Sequence, residues 1–134
     1  MLTVLLARLD RAGLAGAEPF AGVPGTVGGA VVMNAGTTLG EAKDLVRSVT
    51  LVMPGGESQT WTAEQLSFAY RHATLPPGAV VATAELMLSK DEVTEKRQRR
   101  KELLQRRKQT QPLDLPSCGS TFTNPPGDYA GRLI

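Results

Sequence analysis

Cysteine is almost missing from this 134-residue chain: Cys118 stands alone, so no disulfide can form within it. Histidine is as scarce, with His72 the only one, and no cluster of His and Cys has the spacing of a metal site, so no metal is expected. Aromatic residues make up 4% of the chain. A core must therefore be built from Leu, Val, Ala and Met, and a base-stacking surface for single-stranded nucleic acid is excluded. No apolar run reaches the length of a membrane-spanning helix. The apolar start, Met1 to Ala7, has no basic leader and is cut short by Arg8 and Asp10, so it does not read as a secretory signal. These absences together predict a soluble protein of a reducing cytoplasm.

What is present is an ordinary globular composition, 41% hydrophobic and 21% charged, enough for one core or for part of a larger protein. The formal charge of +2 hides an asymmetry. Eight bases crowd between Lys96 and Lys108 with Glu102 as the only acid among them, and the rest of the chain is net acidic. Such a strip could meet nucleic acid or an anionic ligand. Without interleaved aromatics it reads as a solvated helix face with one or two residues turned to a ligand, and no nucleic-acid partner is expected.

Leu2, Leu5, Leu6 and Leu9 recur at helical spacing and Gly13 suits a C-terminal cap, which predicts a helix over residues 2–12. Thr26 is placed to cap a short helix after the Pro24-Gly25 turn. A strand-like run from Leu45 to Met53, the turn Pro54-Gly55-Gly56-Glu57 and a return from Ser58 to Trp61 make a hairpin. Thr62 with Gln65 forms a capping box for a short turn, and a further strand runs from Ala79 to Leu88. Ser89 with Glu92 reads as another capping box, with Asp91 and Glu92 in the first turn of a helix reaching about Gln109. Strands, turns and helices alternate, so the fold class is α+β, with sheet and helices in layers. Pro112 and Pro116 then read as a linker.

Three stretches carry candidate chemistry. Gly22-Val23-Pro24-Gly25-Thr26-Val27-Gly28-Gly29-Ala30 leaves several backbone N–H groups with little side-chain cover, which suits a phosphate or a flat ring; close packing of backbone on backbone explains the same glycines. It is neither a Walker loop nor a Gly-x-Gly-x-x-Gly fingerprint. In Ser117-Cys118-Gly119-Ser120-Thr121-Phe122-Thr123-Asn124-Pro125, a hydroxyl flanked by glycine and a restrained Asn-Pro step presents a polar group for chemistry. A polar turn in which Ser120 and Asn124 satisfy their own backbone is the other reading. Between the two lies Tyr70-Arg71.

Taken in order and spacing, the run from Gly22 to Gly36, then Phe68-Ala69-Tyr70-Arg71, then Gln111-Pro112 and the segment from Ser117 to Ile134 resemble the UDP-N-acetylenolpyruvoylglucosamine reductase family. That resemblance implies a partial FAD-binding domain of the vanillyl-alcohol-oxidase (PCMH) type over residues 1–109, followed at 110–134 by a linker and the beginning of a substrate-binding α+β domain. It implies FAD as cofactor, NADPH as hydride donor and UDP-N-acetylglucosamine enolpyruvate as substrate, reduced to UDP-N-acetylmuramate for peptidoglycan. Gly22, Val23, Pro24, Gly25, Thr26, Val27, Gly28, Gly29, Ala30, Asn34, Ala35 and Gly36 would lie against the cofactor. Arg71 matches the family's active-site arginine and Ser120 its proton donor. Asn124 matches a residue that contacts the UDP-sugar, with Tyr70 beside the arginine.

The chain departs from the family at Thr123, where a lysine is usual, and at Ala73, where a serine is common. Both changes bear on charge and hydrogen bonding near the UDP-sugar. By the same resemblance the chain is expected to lack an N-terminal lobe and a catalytic glutamate downstream. It would then be inactive alone, prone to aggregate, and ready to pair with a complementary fragment of the same enzyme. A flavin- or nucleotide-binding module without turnover, and another FAD-dependent oxidoreductase of the same superfamily, are the alternative readings.

Overall fold

A computed structural model describes residues 1–90, 92–111 and 121–134. Pro112, Pro116, Ser117, Cys118, Gly119 and Ser120 therefore lie outside the described residues, as does Asp91.

Helix α1, Leu2–Arg11, forms where the leucine spacing predicts it, with Leu2 and Leu9 buried and Leu5 and Leu6 packed partly against the core. It ends as Gly13 takes φ +65°, which lets the N–H of Ala12 reach the Arg8 carbonyl and that of Leu14 reach Leu9. A 3-10 turn at Glu18–Phe20 follows and buries Phe20 completely. Helix α2, Val27–Val32, is capped by Thr26, whose hydroxyl accepts from the Gly29 N–H at 3.1 Å. After it comes a minimal hairpin, β1 (Gly36–Thr37) and β2 (Gly40–Glu41), closed by a second 3-10 turn at Ala42–Asp44. Neither the hairpin nor that turn is foreshadowed by periodicity, because two-residue strands have none.

The main sheet has the order β4-β3-β5, all antiparallel, with β3 at Val46–Val52, β4 at Ser58–Thr62 and β5 at Val80–Leu86. Val46, Val49 and Leu51 of β3 are all buried, although strict alternation would turn Val46 away from the other two. A bulge between Val46 and Ser48 places one extra residue on β3 opposite β5 and resets the parity, so that all three point inward. The Pro54–Glu57 turn closes as expected, with the Met53 N–H on the Glu57 carbonyl at 2.8 Å. Thr62 and Gln65 cap one another, but the turn does not extend into a helix. Helix α2 lies on β5 through Gly28: a Cβ there would stand 3.3 Å from the Val81 carbonyl oxygen. The core joins α1, Phe20, α2, Leu45, β3 and Leu66 into one cluster.

Helix α3 spans Val93–Thr110. It does not begin with the expected capping box: Glu92 sits left-handed at φ +53° with no side-chain cap, and Ser89 instead exchanges backbone hydrogen bonds with Ala15. None of the described α3 residues is buried. Its cohesion comes from i,i+4 partners such as Glu95–Arg99 at 2.6 Å and Gln98–Glu102 at 2.8 Å. A four-residue helix, α4 (Ala130–Leu133), ends the chain.

Part of the basic strip is spent inside the molecule. Arg97 and Arg100 both pair with Asp10, at 3.1 and 2.5 Å, and Arg107 donates to the Ala21 carbonyl at 3.4 Å. Asp10 lies in the last turn of α1, where the helix dipole disfavours a carboxylate, and the two guanidiniums offset that. Partial burial opposes its charge, yet Arg100 and then Arg97 outweigh it and hold the carboxyl below its ordinary range. A carboxyl depressed in the folded state stabilises above its unfolded value and ceases to as the pH falls through the folded one. Asp10→Asn is accordingly expected to cost about 1 kcal/mol at pH 7, and clearly less well below pH 4. Urea denaturation at both pH values checks this; an equal loss in acid would sink the ion-pair origin.

Candidate functional site

The polypeptide between β4 and β5 folds back on α2. The Ala73 N–H bonds to the Val32 carbonyl at 3.0 Å and the Thr74 N–H to that of Leu66 at 2.7 Å. This holds a tight turn, Ala69-Tyr70-Arg71-His72, closed by reciprocal backbone bonds between Ala69 and His72. Arg71 takes φ +54° in it. A non-glycine residue pays of order 1 kcal/mol for that conformation, and the surrounding contacts must hold it there.

They do so through Asn34 and Glu41. Asn34 is fully buried, itself left-handed at φ +40°, and uses its whole side chain within the protein. Its amide donates to Glu41 Oε2 and to the Ala69 carbonyl, both at 2.9 Å, and its oxygen accepts from the Lys43 N–H at 3.0 Å. Arg71 Nη1 donates to Glu41 Oε1 at 3.0 Å and to the Asn34 carbonyl at 3.4 Å. The Tyr70 ring covers one face of the guanidinium, with Cζ 4.7 Å from the ring centroid. Arg71 Nε and Nη2 have no hydrogen-bonded partner among the described residues.

Arg71 also lines a cleft of about 130 Å³ with Met33, Tyr70, Phe122, Thr123 and Asn124, among others. Tyr70 Oη accepts from the Asn124 N–H at 3.4 Å, and Asn124 Oδ1 accepts from the Ala130 N–H at 3.0 Å. The structure thus brings Tyr70, Arg71 and Asn124 together, although 50 or so residues separate the first two from the third. Thr123 lines the cleft, whereas Ala73 is buried behind it. Ser120 lies outside the described residues.

The glycine-rich run divides in two. From Gly22 to Gly29 it is largely open: among the described residues, the N–H groups of Gly22, Gly25, Thr26, Val27 and Gly28 have no hydrogen-bond acceptor. Gly25 is at φ +130°, with nothing within 4 Å of where a side chain would project. From Ala30 to Gly36 the polar groups are used internally. Ala35 bonds to Ala30 and Ala42, and a Cβ on Gly36 would run into the Gly40 carbonyl oxygen and the Glu41 Cα. Gly22 faces Leu104 and Arg107 of α3. A row of free backbone donors beside open space fits a group rich in acceptors, such as a diphosphate or the carbonyl edge of a flavin. Among the described residues, no three His, Cys, Asp or Glu side chains are grouped to hold a metal ion, and no helix is long and apolar enough to cross a membrane.

Sequence reading alone missed Glu41 altogether; its one local signal is the Glu41/Asp44 pair, which forms a capping box around the 3-10 turn.

Residues 2–62 match the FAD binding domain family. The chain is 51% identical over 97% of its length to the UDP-N-acetylenolpyruvoylglucosamine reductase of Anaeromyxobacter sp. (strain K), covering 39% of that protein. It is 46% identical along its whole length to the reductase of the same name from Moorella thermoacetica, covering 44% of it. Among solved structures, that of UDP-N-acetylenolpyruvylglucosamine reductase from Thermus caldophilus superposes with a TM-score of 0.89 at 42% identity, over 99% of this chain and 49% of the other. The chain thus spans less than half the length of these relatives.

Proposed function

Because the chain is a relative of the UDP-N-acetylenolpyruvoylglucosamine reductases, we propose that it carries the flavin-facing loop and the carboxylate-binding arginine of such an enzyme, which reduces UDP-N-acetylglucosamine enolpyruvate with NADPH in peptidoglycan precursor synthesis. The flavin-binding part comprises residues 1–109, and a linker with the beginning of the substrate-binding part occupies 110–134, from the end of α3 at Thr110. The observation that carries this reading is the shared cleft of Tyr70, Arg71 and Asn124, which begins at Met33, just past the end of α2.

The N–H groups of Gly25, Thr26, Val27 and Gly28, without acceptors among the described residues, would hold FAD, which when bound would supply hydride transfer from NADPH to the enolpyruvyl double bond. Gly22, Val23, Pro24, Thr26, Gly29 and Ala30 shape that loop, while Asn34, Ala35 and Gly36, expected against the cofactor, continue the run with polar groups bonded within the protein. Arg71 offers Nε and Nη2, which have no partner among the described residues, as a side-on pair of donors to the substrate carboxylate, where negative charge grows during reduction. Ser120 gives the proton to the neighbouring carbon; the enolic species there must be basic enough to take it from a weakly acidic hydroxyl. Tyr70 and Asn124 face the UDP-sugar. The reaction is placed in the cytoplasm, and a complementary fragment of the same enzyme is the expected protein partner.

Titration of the purified chain with FAD tests the proposal, followed by NADPH under anaerobic conditions. A shifted visible flavin spectrum that bleaches with NADPH and recovers on adding the enolpyruvyl sugar nucleotide is the expected result once the partner fragment is supplied. Binding without bleaching would favour the non-catalytic flavin module. No binding with or without the partner would overturn the reading.

A further inference from the structure

We propose that Glu41 is the positioning residue of Arg71: it grips one end of the guanidinium so that the opposite edge is presented to the substrate carboxylate. This rests on the reading of Arg71 given above.

A free arginine side chain samples many rotamers, and its planar fork can meet a carboxylate through either the Nη1/Nη2 or the Nε/Nη2 pair. Here Glu41 Oε1 occupies Nη1 at 3.0 Å, the Asn34 carbonyl shares it at 3.4 Å, and Tyr70 lies against one face. Among the described residues nothing occupies the Nε/Nη2 edge, which leaves it for an anion. Glu41 is itself immobilised. Its Oε2 accepts from Asn34 Nδ2 at 2.9 Å and lies 3.3 Å from Lys43 Nζ, and its own N–H is held by Asp44 at 2.7 Å. The pair is largely shielded, with 30% of the Arg71 and 21% of the Glu41 side chain exposed, so water competes weakly for the contact. The β1–β2 hairpin delivers the carboxylate to this point, since Gly36 pairs with Glu41 across it and only a residue without Cβ lets the strands close.

Charge and geometry act in opposite senses on this site, which separates positioning from mere support. Glu41→Gln keeps the size and the acceptor oxygen but removes the charge that partly neutralises Arg71. Attraction for the substrate anion then rises while its orientation loosens. The expected result is a kcat lowered about 10- to 100-fold with KM level or reduced. A purely structural role would lower thermal stability and leave kcat per folded molecule unchanged, which would overturn the proposal. So would a raised KM at constant kcat.

A second reading needs neither flavin nor turnover. In 15N–1H spectra of the full chain, the Arg71 Nε–H signal, assigned by its absence in Arg71→Lys, should be sharp and slowly exchanging. In Glu41→Gln it should broaden or vanish while the backbone spectrum stays folded. An unchanged Arg71 signal would overturn the inference even if FAD binding and turnover are found. Loss of the signal in a chain that binds no FAD would leave the positioning intact and sink only the proposed function. If Glu41→Gln fails to fold, Glu41→Asp is read in the same way, because its carboxylate is one methylene too short to reach Nη1.

Discussion

Asn34→Leu is expected to lower stability by about 2 to 4 kcal/mol, a large share for a domain whose total is of order 5 to 15 kcal/mol. The two side chains are similar in size, so no cavity opens, and the loss isolates hydrogen bonding and backbone conformation. Leucine takes from the Lys43 N–H and Glu41 Oε2 the partners that Asn34 provides at 3.0 and 2.9 Å, while the Ala69 carbonyl loses one donor and keeps the His72 N–H. Each of these part-buried hydrogen bonds is worth about 1 kcal/mol. The position also sits at φ +40°, which asparagine tolerates better than leucine. Denaturant midpoints of the two proteins measure the difference. A loss below about 1 kcal/mol would mean that the network re-forms around water and that Asn34 is no keystone.

Arg71→Ala is expected to slow the second half-reaction, reduction of the enolpyruvyl substrate, by about 10²- to 10³-fold in a preparation that turns over, in line with removal of one preorganised donor from an anion site. Reduction by NADPH and affinity for FAD should be unaltered, because the hydrogen bonds of Arg71 among the described residues go to Asn34 and Glu41 and none to the open loop from Gly22 to Gly29. Arg71→Lys should recover little, since a single ammonium cannot donate to Glu41 and to both carboxylate oxygens in one plane. Arg71→Gly is the informative control: it relieves the left-handed backbone at φ +54° and so separates stability from chemistry. Rapid-mixing measurement of each half-reaction checks the split, and equal slowing of both would remove Arg71 from the carboxylate site.

The elements legible in the sequence are those whose signal is local. The leucine repeat of α1, the Thr26 cap, the Pro54–Glu57 turn and the apolar run of β5 all appear where chain chemistry places them. Ser89 misleads because its capping chemistry competes with a backbone ladder to Ala15, a partner 74 residues away that no local pattern announces. The β1–β2 hairpin is hidden by its brevity. The family resemblance singles out Tyr70, Arg71 and Asn124, which the fold brings together, but it does not foretell the internal part Asn34 plays. A small polar residue in a glycine-rich run looks the same whether it faces a ligand or the interior, and only the fold reveals that its amide is used up by Glu41 and Ala69. Glu41 is invisible for the complementary reason, being one carboxylate among many until a hairpin carries it to the guanidinium.

The clasp between α1 and α3 bears on how long the native state lasts. Asp10 meets Arg97 and Arg100 across 87 and 90 residues of chain, and Ala21 meets Arg107 across 86, whereas β3 and β4 meet through a short turn. Contacts that close such long loops bring little return until the rest has assembled, so they form on the native side of the folding barrier. Interactions absent from the transition state act on the rate of leaving the native basin and hardly on the rate of reaching it. Chevron plots of Asp10→Asn should therefore shift the unfolding limb alone; a shifted folding limb would place the clasp in the nucleus. With α3 presenting no buried residue, limited proteolysis is expected to cut first in this helix, and sooner in Asp10→Asn, where the pairs that hold it to α1 are weakened.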